Sequence, residues 1–375
     1  MSNTINQLII NSSYETPRQY LGAKVNVVKK VSNHYVPQFY LKNFSNNKKS
    51  IGMYIIDKRK YCKEASIKEQ ACKDYLYGKD TKLEDMFMDI EREVSKIIND
   101  IIDTSSIPLR NSAEYALLLL FMLISETRNL KTADSYNNFI DISMKTLAKM
   151  DRRCNISHDI LDRVKISMKI PNLTSIKVAH DIYPILFDLK CVLLINKTDR
   201  QFITSDNSLV KYNQMYVERR YTSRGYGLGN MGIQLFFPIT PQLCICLFDH
   251  CIYDYKANMD ENIEINKEGQ IDEVNKLFFL NTYNSLYFND KTKESYINRL
   301  VSSIEHSNSE LDKEIAIFGT ENDKLIAYSP KKVKERINMT FFIIRQKFME
   351  MLLPANMAGP IRPYAEKFCE ELKRQ

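Results

Sequence analysis

The 375-residue chain has no CxxC pair among its eight cysteines, no GxSxG elbow and no glycine loop ending in GKS or GKT. It also has no uninterrupted apolar run of the about 20 residues that a membrane-crossing helix needs. Each absence excludes a class. The paired-cysteine spacing of a zinc site is missing, a conventional serine hydrolase is disfavoured, and the glycine loop at 225–232 is not a convincing P-loop. The longest apolar stretch, Tyr115 to Ile124, is about half a membrane span and fits a buried core helix. The N-terminal MSNTINQLIINSS lacks the charged and apolar regions of a signal peptide, which predicts a cytoplasmic protein with no membrane partner. Gly227, Gly229 and Gly232 do spell GxGxxG, but IQLFF and Pro238 follow where a dinucleotide fingerprint would open a helix. That loop reads as a connection between strands.

What is present is globular. Hydrophobic residues make up 44% and charged residues 26%, so disorder is expected only at the ends. The net charge of +7 permits a nucleic-acid partner without demanding one. The same excess fits the general richness in Lys, Asn and Ile, as in NFSNNKK from Asn43 to Lys49. Cys244, Cys246 and Cys251, with His250, invite a zinc reading. The surrounding LCICLF from Leu243 to Phe248 favours a buried strand whose thiols behave as small hydrophobes, reduced and without metal. The scattered remaining cysteines fit a reducing compartment.

Periodicity predicts an α+β fold, mostly helical, with a smaller central β-sheet from the segments around 190–250. Residues 1–30 form a weakly ordered lead-in and 31–375 one domain, since neither repeat nor linker interrupts it. Pro37 holds Val36 extended and suits the first turn of a short helix from Gln38 to Phe44. Ser50 to Asp57 reads as a strand with a polar turn at Lys58-Arg59-Lys60. From Thr81 to Ile102, Leu83, Met86, Phe87, Ile90, Val94, Ile97, Ile98 and Ile101 form one helical stripe. Thr81 and Glu84 have the spacing of a capping box. A second helix runs from Ser112 to Thr127 and helical pattern continues to Met150. Strands are expected at 191–195, 202–204, 235–237 and 243–248, and helices at 273–286, 296–304 and through 331–372.

Five segments occur in a telling order: HYVPQFYLKNF from His34, LEDMFMDIE from Leu83, an apolar helix ending in Arg128, FITSDN at 202–207 and FFPITP at 236–241. This order resembles the domain of unknown function 4238 family, uncharacterised microbial proteins with an HxxPxxYLxxF opening, spaced glutamates and a TSDNP turn. The resemblance covers roughly residues 32 to 300 and implies His34, Glu84, Glu91, Arg128, Asp206 and Asn207 as candidate site residues. Asn129-Leu130 and Ser208 stand where the family tends to carry proline.

Each candidate has two readings. His34 could be a general base, a metal ligand or a phosphate contact, or a staple bonded to a backbone carbonyl. Glu84 and Glu91, seven residues apart, share one helix flank while about 10 Å separates them along the axis. They cannot share one metal directly but could line one groove with His34; their structural alternatives are a cap and a solvated edge. Arg128 could clamp a phosphate, or neutralise a carboxylate or the helix C-terminus. Asp206 and Asn207 close a turn, either as turn formers or as strand-end functional groups. The expectation taken forward is a phosphodiester-directed hydrolase, a nuclease acting in microbial defence or as a toxin, with a divalent metal as candidate cofactor and nucleic acid as candidate partner. The alternatives are a non-catalytic binding or sensing module and a small-molecule hydrolase or transferase. The discriminating expectation is that His34, Asp206 and at least one of the two glutamates line a common pocket.

Overall fold

Local chemistry sets the N-terminal elements of the computed structural model, which describes residues 32–78, 82–151, 155–219, 225–304, 336–350 and 359–374. It also gives the backbone of two further strands, Glu314–Gly319 and Lys324–Ser329. The predicted lead-in lies outside the described residues, as does Thr81. Strand β1 (Ser32–His34) ends before Pro37, whose extended backbone forms the N-cap of α1 (Gln38–Lys42). A hairpin follows, β2 (Ser50–Ile55) and β3 (Lys60–Ser66), and then β4 (Cys72–Asp74), which pairs antiparallel with β1.

Three long helices come next. The predicted stripe folds as one unbroken helix, α2 (Lys82–Thr104), packed on α3 (Ala113–Thr127). The Ser112 side chain caps α3 by accepting the Tyr115 N–H, and the Asn129 side chain caps α4 (Leu130–Met150) by accepting the Thr132 N–H. Nearly all of α3 from Leu118 to Ser125 is buried, as a helix apolar on every side must be. Two shorter helices, α5 (His158–Arg163) and α6 (Asn172–Ile182), lead into the sheet region.

There, β5 (Lys190–Asn196), β6 (Thr204–Ser205), β7 (Val210–Tyr212), β8 (Gln234–Pro238), β9 (Leu243–Phe248), β10 (Tyr253–Asp254) and β11 (Ile263–Ile265) follow in order. The main sheet runs β11-β5-β9-β8-β7, antiparallel except for the parallel β11–β5 pair. Its central strands are buried on both faces and split by alternation. Leu193, Leu235, Phe237, Ile245 and Leu247 join the helical core around α3. Val192, Leu194, Phe236, Cys244, Cys246 and Phe248 join a second core on the other face. Burial pushes the Cys244 and Cys246 thiols up, as the small-hydrophobe reading requires. Cys251, expected to be mostly buried, is exposed instead, because it sits in the turn after β9.

A second sheet went unforeseen. Helix α7 (Gln214–Glu218) precedes β8, and α8 (Glu268–Asn281) stops five residues short of the predicted 286. The tail of that segment, β12 (Ser285–Phe288), is a strand between β2 and β6, giving the order β3-β2-β12-β6. The strand expected at 202–204 thus leaves the main sheet and caps this one. After α9 (Glu294–Ser302), helix in the C-terminal part is confined, among the described residues, to Gln346–Met349 and Pro363–Lys373. Residues 336–342 are not helical, and Ile343–Ile344 pairs with β10.

Candidate functional site

The HYVPQFYLKNF segment is pinned by its aromatic residues. Phe39 meets Phe121 of α3 at 5.8 Å between ring centroids, and Tyr40 meets Phe237 of β8 at 5.1 Å. The Tyr40 hydroxyl donates to the Pro238 carbonyl at 2.6 Å and lies 2.8 Å from Thr204 Oγ1. These anchors hold His34 at the edge of the core beside α2.

His34 Nδ1 lies 3.1 Å from the Gln70 carbonyl, and Nε2 lies 2.9 Å from Gln38 Nε2. A carbonyl only accepts, so Nδ1 carries the proton and Nε2 accepts from Gln38. The ring therefore ties β1 to the turn before β4 and to the first turn of α1. Its neighbour Asn33 does similar work: Nδ2 donates to Glu84 Oε2 at 3.1 Å, and Oδ1 accepts the Tyr77 N–H at 3.4 Å. Glu84 thus answers Asn33 across 51 residues of chain.

Glu91 accepts from Arg128 Nη1 at 2.8 Å. The guanidinium is buried, with Nε donating to the Tyr35 carbonyl at 3.1 Å and its carbon 5.0 Å from the Phe87 ring centre. Nη2 has no hydrogen-bond partner among the described residues. The Tyr77 hydroxyl donates to the Arg128 carbonyl at 3.3 Å. Burial raises the Tyr77 hydroxyl's pKa; the Arg128 charge opposes this, and Glu84 and Glu91 add to it.

His34, Glu84 and Glu91 line one open cavity of about 360 Å³ with Gln38, Phe39, Phe87, Met88, Arg92 and Ser95. Arg128 stands behind Glu91 and is not part of the lining. The two glutamates come together here as their spacing required.

Asp206 and Asn207 belong to a different cluster, so the expected common pocket of His34, Asp206 and a glutamate does not form. The buried Asp206 carboxylate accepts the backbone N–H groups of Tyr283, Asn284 and Ser285, holding the turn that opens β12. Burial pushes its carboxyl up to about 6, against the pull of those three donors. It is Tyr35, the next residue after His34, whose hydroxyl lies in the Asp206 field. Asn207 Oδ1 accepts from Asn129 Nδ2 at 3.1 Å, which joins this turn to the end of α3.

Asn33, Gln38, Tyr77 and Asn129 carry this network and were not singled out from the sequence. Gln38 had a signal, since it follows Pro37 at the start of the expected helix, inside the same motif as His34. The glycine loop also has a structural occupation: Arg362 donates to the Leu228 and Asn230 carbonyls and pairs with Asp188 at 2.8 Å. Among the described residues no three His, Cys, Asp or Glu side chains gather as a metal site, and no helix is long and apolar enough to cross a membrane.

A family described as a protein of unknown function (DUF4238) matches residues 32–292, more than half of the chain. The protein belongs to that family. No curated protein and no solved structure matches it.

Proposed function

We propose that this chain is a non-catalytic binding or sensing module in which the polar motifs hold the fold around a small polar cavity. The observation that supports this reading is the division of the six candidate residues between two clusters, each tied to fold-holding partners. His34 is bonded through both ring nitrogens, Glu91 is paired with Arg128, and Asp206 takes three backbone N–H groups. A general base needs a lone pair within reach of a substrate proton, and Gln38 stands on the one His34 has. What remains open is the cavity mouth, where a ligand would meet Glu84, Ser95 and Arg92 beside Phe39 and Met88. A cytoplasmic setting belongs to the same proposal.

A second reading, a phosphodiester-directed hydrolase or nuclease in microbial defence or as a toxin, draws on one observation. His34 and both glutamates do face the same open space. With nucleic acid as substrate, the net charge of +7 would assist docking. The two are separated by incubating purified protein with mixed DNA and RNA, with and without Mg²⁺ or Mn²⁺, beside His34→Ala. The binding reading expects intact nucleic acid in every lane. Cleavage that His34→Ala abolishes would favour the hydrolase.

A further inference from the structure

Helix α2 turns a second face to a second groove. At about 100° per residue, Glu84, Met88, Glu91 and Ser95 project on the His34 side. Met86, Ile90, Glu93, Ile97 and Asp100 project on the opposite flank, toward α3. There they line a separate cavity of about 420 Å³, closed from the other side by Ala113, Glu114, Leu117 and Leu120. Only Arg92 lines both cavities among the described residues.

The groove has an apolar floor and an acidic rim. Met86, Ile90, Ile97, Leu117 and Leu120 form the floor and also pack into the helical core, so its shape is held from beneath. The rim carries four carboxylates, Asp89, Glu93, Asp100 and Glu114, against two cations, Arg92 and Lys96. Both cations are already committed. Arg92 bridges Asp89 at 3.0 Å and Glu93 at 3.2 Å, and Lys96 bridges Glu93 at 2.8 Å. Asp100 and Glu114 have no ion-pair partner among the described residues. Hydrogen bonds from its own backbone N–H and from Ser112 hold the Glu114 carboxyl below its usual range, so it is charged at neutral pH.

We propose that this groove binds an organic cation, an ammonium or guanidinium group carried on an apolar body. The floor takes the body, since a cavity of this size suits a small molecule. The two carboxylates without an ion-pair partner among the described residues, Asp100 and Glu114, take the charge. An anion would meet a rim with two more acids than bases, and a bare metal ion would gain nothing from five hydrophobic side chains. This site shares only Arg92 with the His34 cavity among the described residues and does not rest on the function proposed for that cavity.

The test is an NMR titration of the full chain with octylammonium, methylammonium and octanoate at neutral pH and low salt. Octylammonium should saturate one site and shift resonances of α2 and α3, while octanoate at the same concentrations should not. Methylammonium, lacking the body, should bind at least about tenfold more weakly. Asp100→Asn with Glu114→Gln changes two exposed positions and should weaken octylammonium about five- to tenfold while the circular-dichroism spectrum shows the fold retained. Asp100→Lys with Glu114→Lys should reverse the preference toward octanoate. The proposal is overturned by non-saturable uptake of octylammonium, by equal binding of octanoate, by equal binding of methylammonium, or by a double neutralisation that costs less than about twofold.

Discussion

Replacing Arg128 by methionine tests whether the motif residues hold the fold. The substitution keeps a long apolar stem against Phe87 and removes the guanidinium that joins α3 to α2 and to the HYVPQFYLKNF segment. Removing one partner of a buried ion pair costs about 3–5 kcal/mol. Here the lower end applies, because Glu91 is 25% exposed and can rehydrate. Leaving the buried Tyr35 carbonyl without its donor adds about 1 kcal/mol. Replacing the unpartnered Nη2 by an apolar group returns part of that, so the net loss is about 3 kcal/mol. With an unfolding entropy of about 2.1 cal/mol/K per residue, a cooperative 375-residue chain shifts about 1.3 °C per kcal/mol, or about 4 °C. Circular-dichroism melting of Arg128→Met, Glu91→Gln and the double variant measures both the shift and a coupling of about 1–2 kcal/mol. A melting temperature within 1 °C of wild type, or a coupling near zero, would refute the reasoning.

Asp206 makes stability depend on pH. Its folded pKa of about 6 stands above the ordinary carboxylate value, so the folded state takes up a proton between the two. Its contribution is therefore largest below about pH 4 and falls by about 3 kcal/mol as pH rises to about 6. Urea unfolding of wild type and Asp206→Asn from pH 4 to 7 should differ by that slope; parallel curves would contradict it. Gly52 lies opposite Phe288 in the β2–β12 pair, and an added Cβ would meet the Phe288 ring at 2.4 Å and its carbonyl oxygen at 2.9 Å. Gly52→Ala should cost about 1–3 kcal/mol in denaturant unfolding, and wild-type stability would show that the sheet yields there. In native thiol labelling read by mass spectrometry, the exposed Cys251 and Cys369 should react while Cys244 and Cys246 wait for unfolding. Equal rates would mean the main sheet is open.

Patterns that repeat locally were legible in the sequence. The stripe from Leu83 to Ile101, the apolar run into α3 and the LCICLF strand each announce their own geometry, and each formed. The second sheet was not legible. Its β2–β12 pairing joins residues more than 200 positions apart, and Ser285–Phe288 reads as the apolar end of a helix until its partners are known. The site was half legible for the same reason. The i, i+7 spacing of Glu84 and Glu91 predicts a shared flank from one helix alone, whereas Asp206 depends on which turn folds over it. A turn carboxylate flanked by strands looks the same in sequence whether it faces a ligand or three backbone N–H groups.

The most direct test of the central claim is the paired measurement of melting temperature and nucleic-acid cleavage for His34→Ala. If His34 is the staple between Gln70 and Gln38, losing both hydrogen bonds costs about 1–3 kcal/mol. The variant then melts a few degrees lower, and neither it nor the wild type cleaves DNA or RNA with Mg²⁺ or Mn²⁺. An unchanged melting temperature, together with wild-type cleavage that His34→Ala abolishes, would contradict the account.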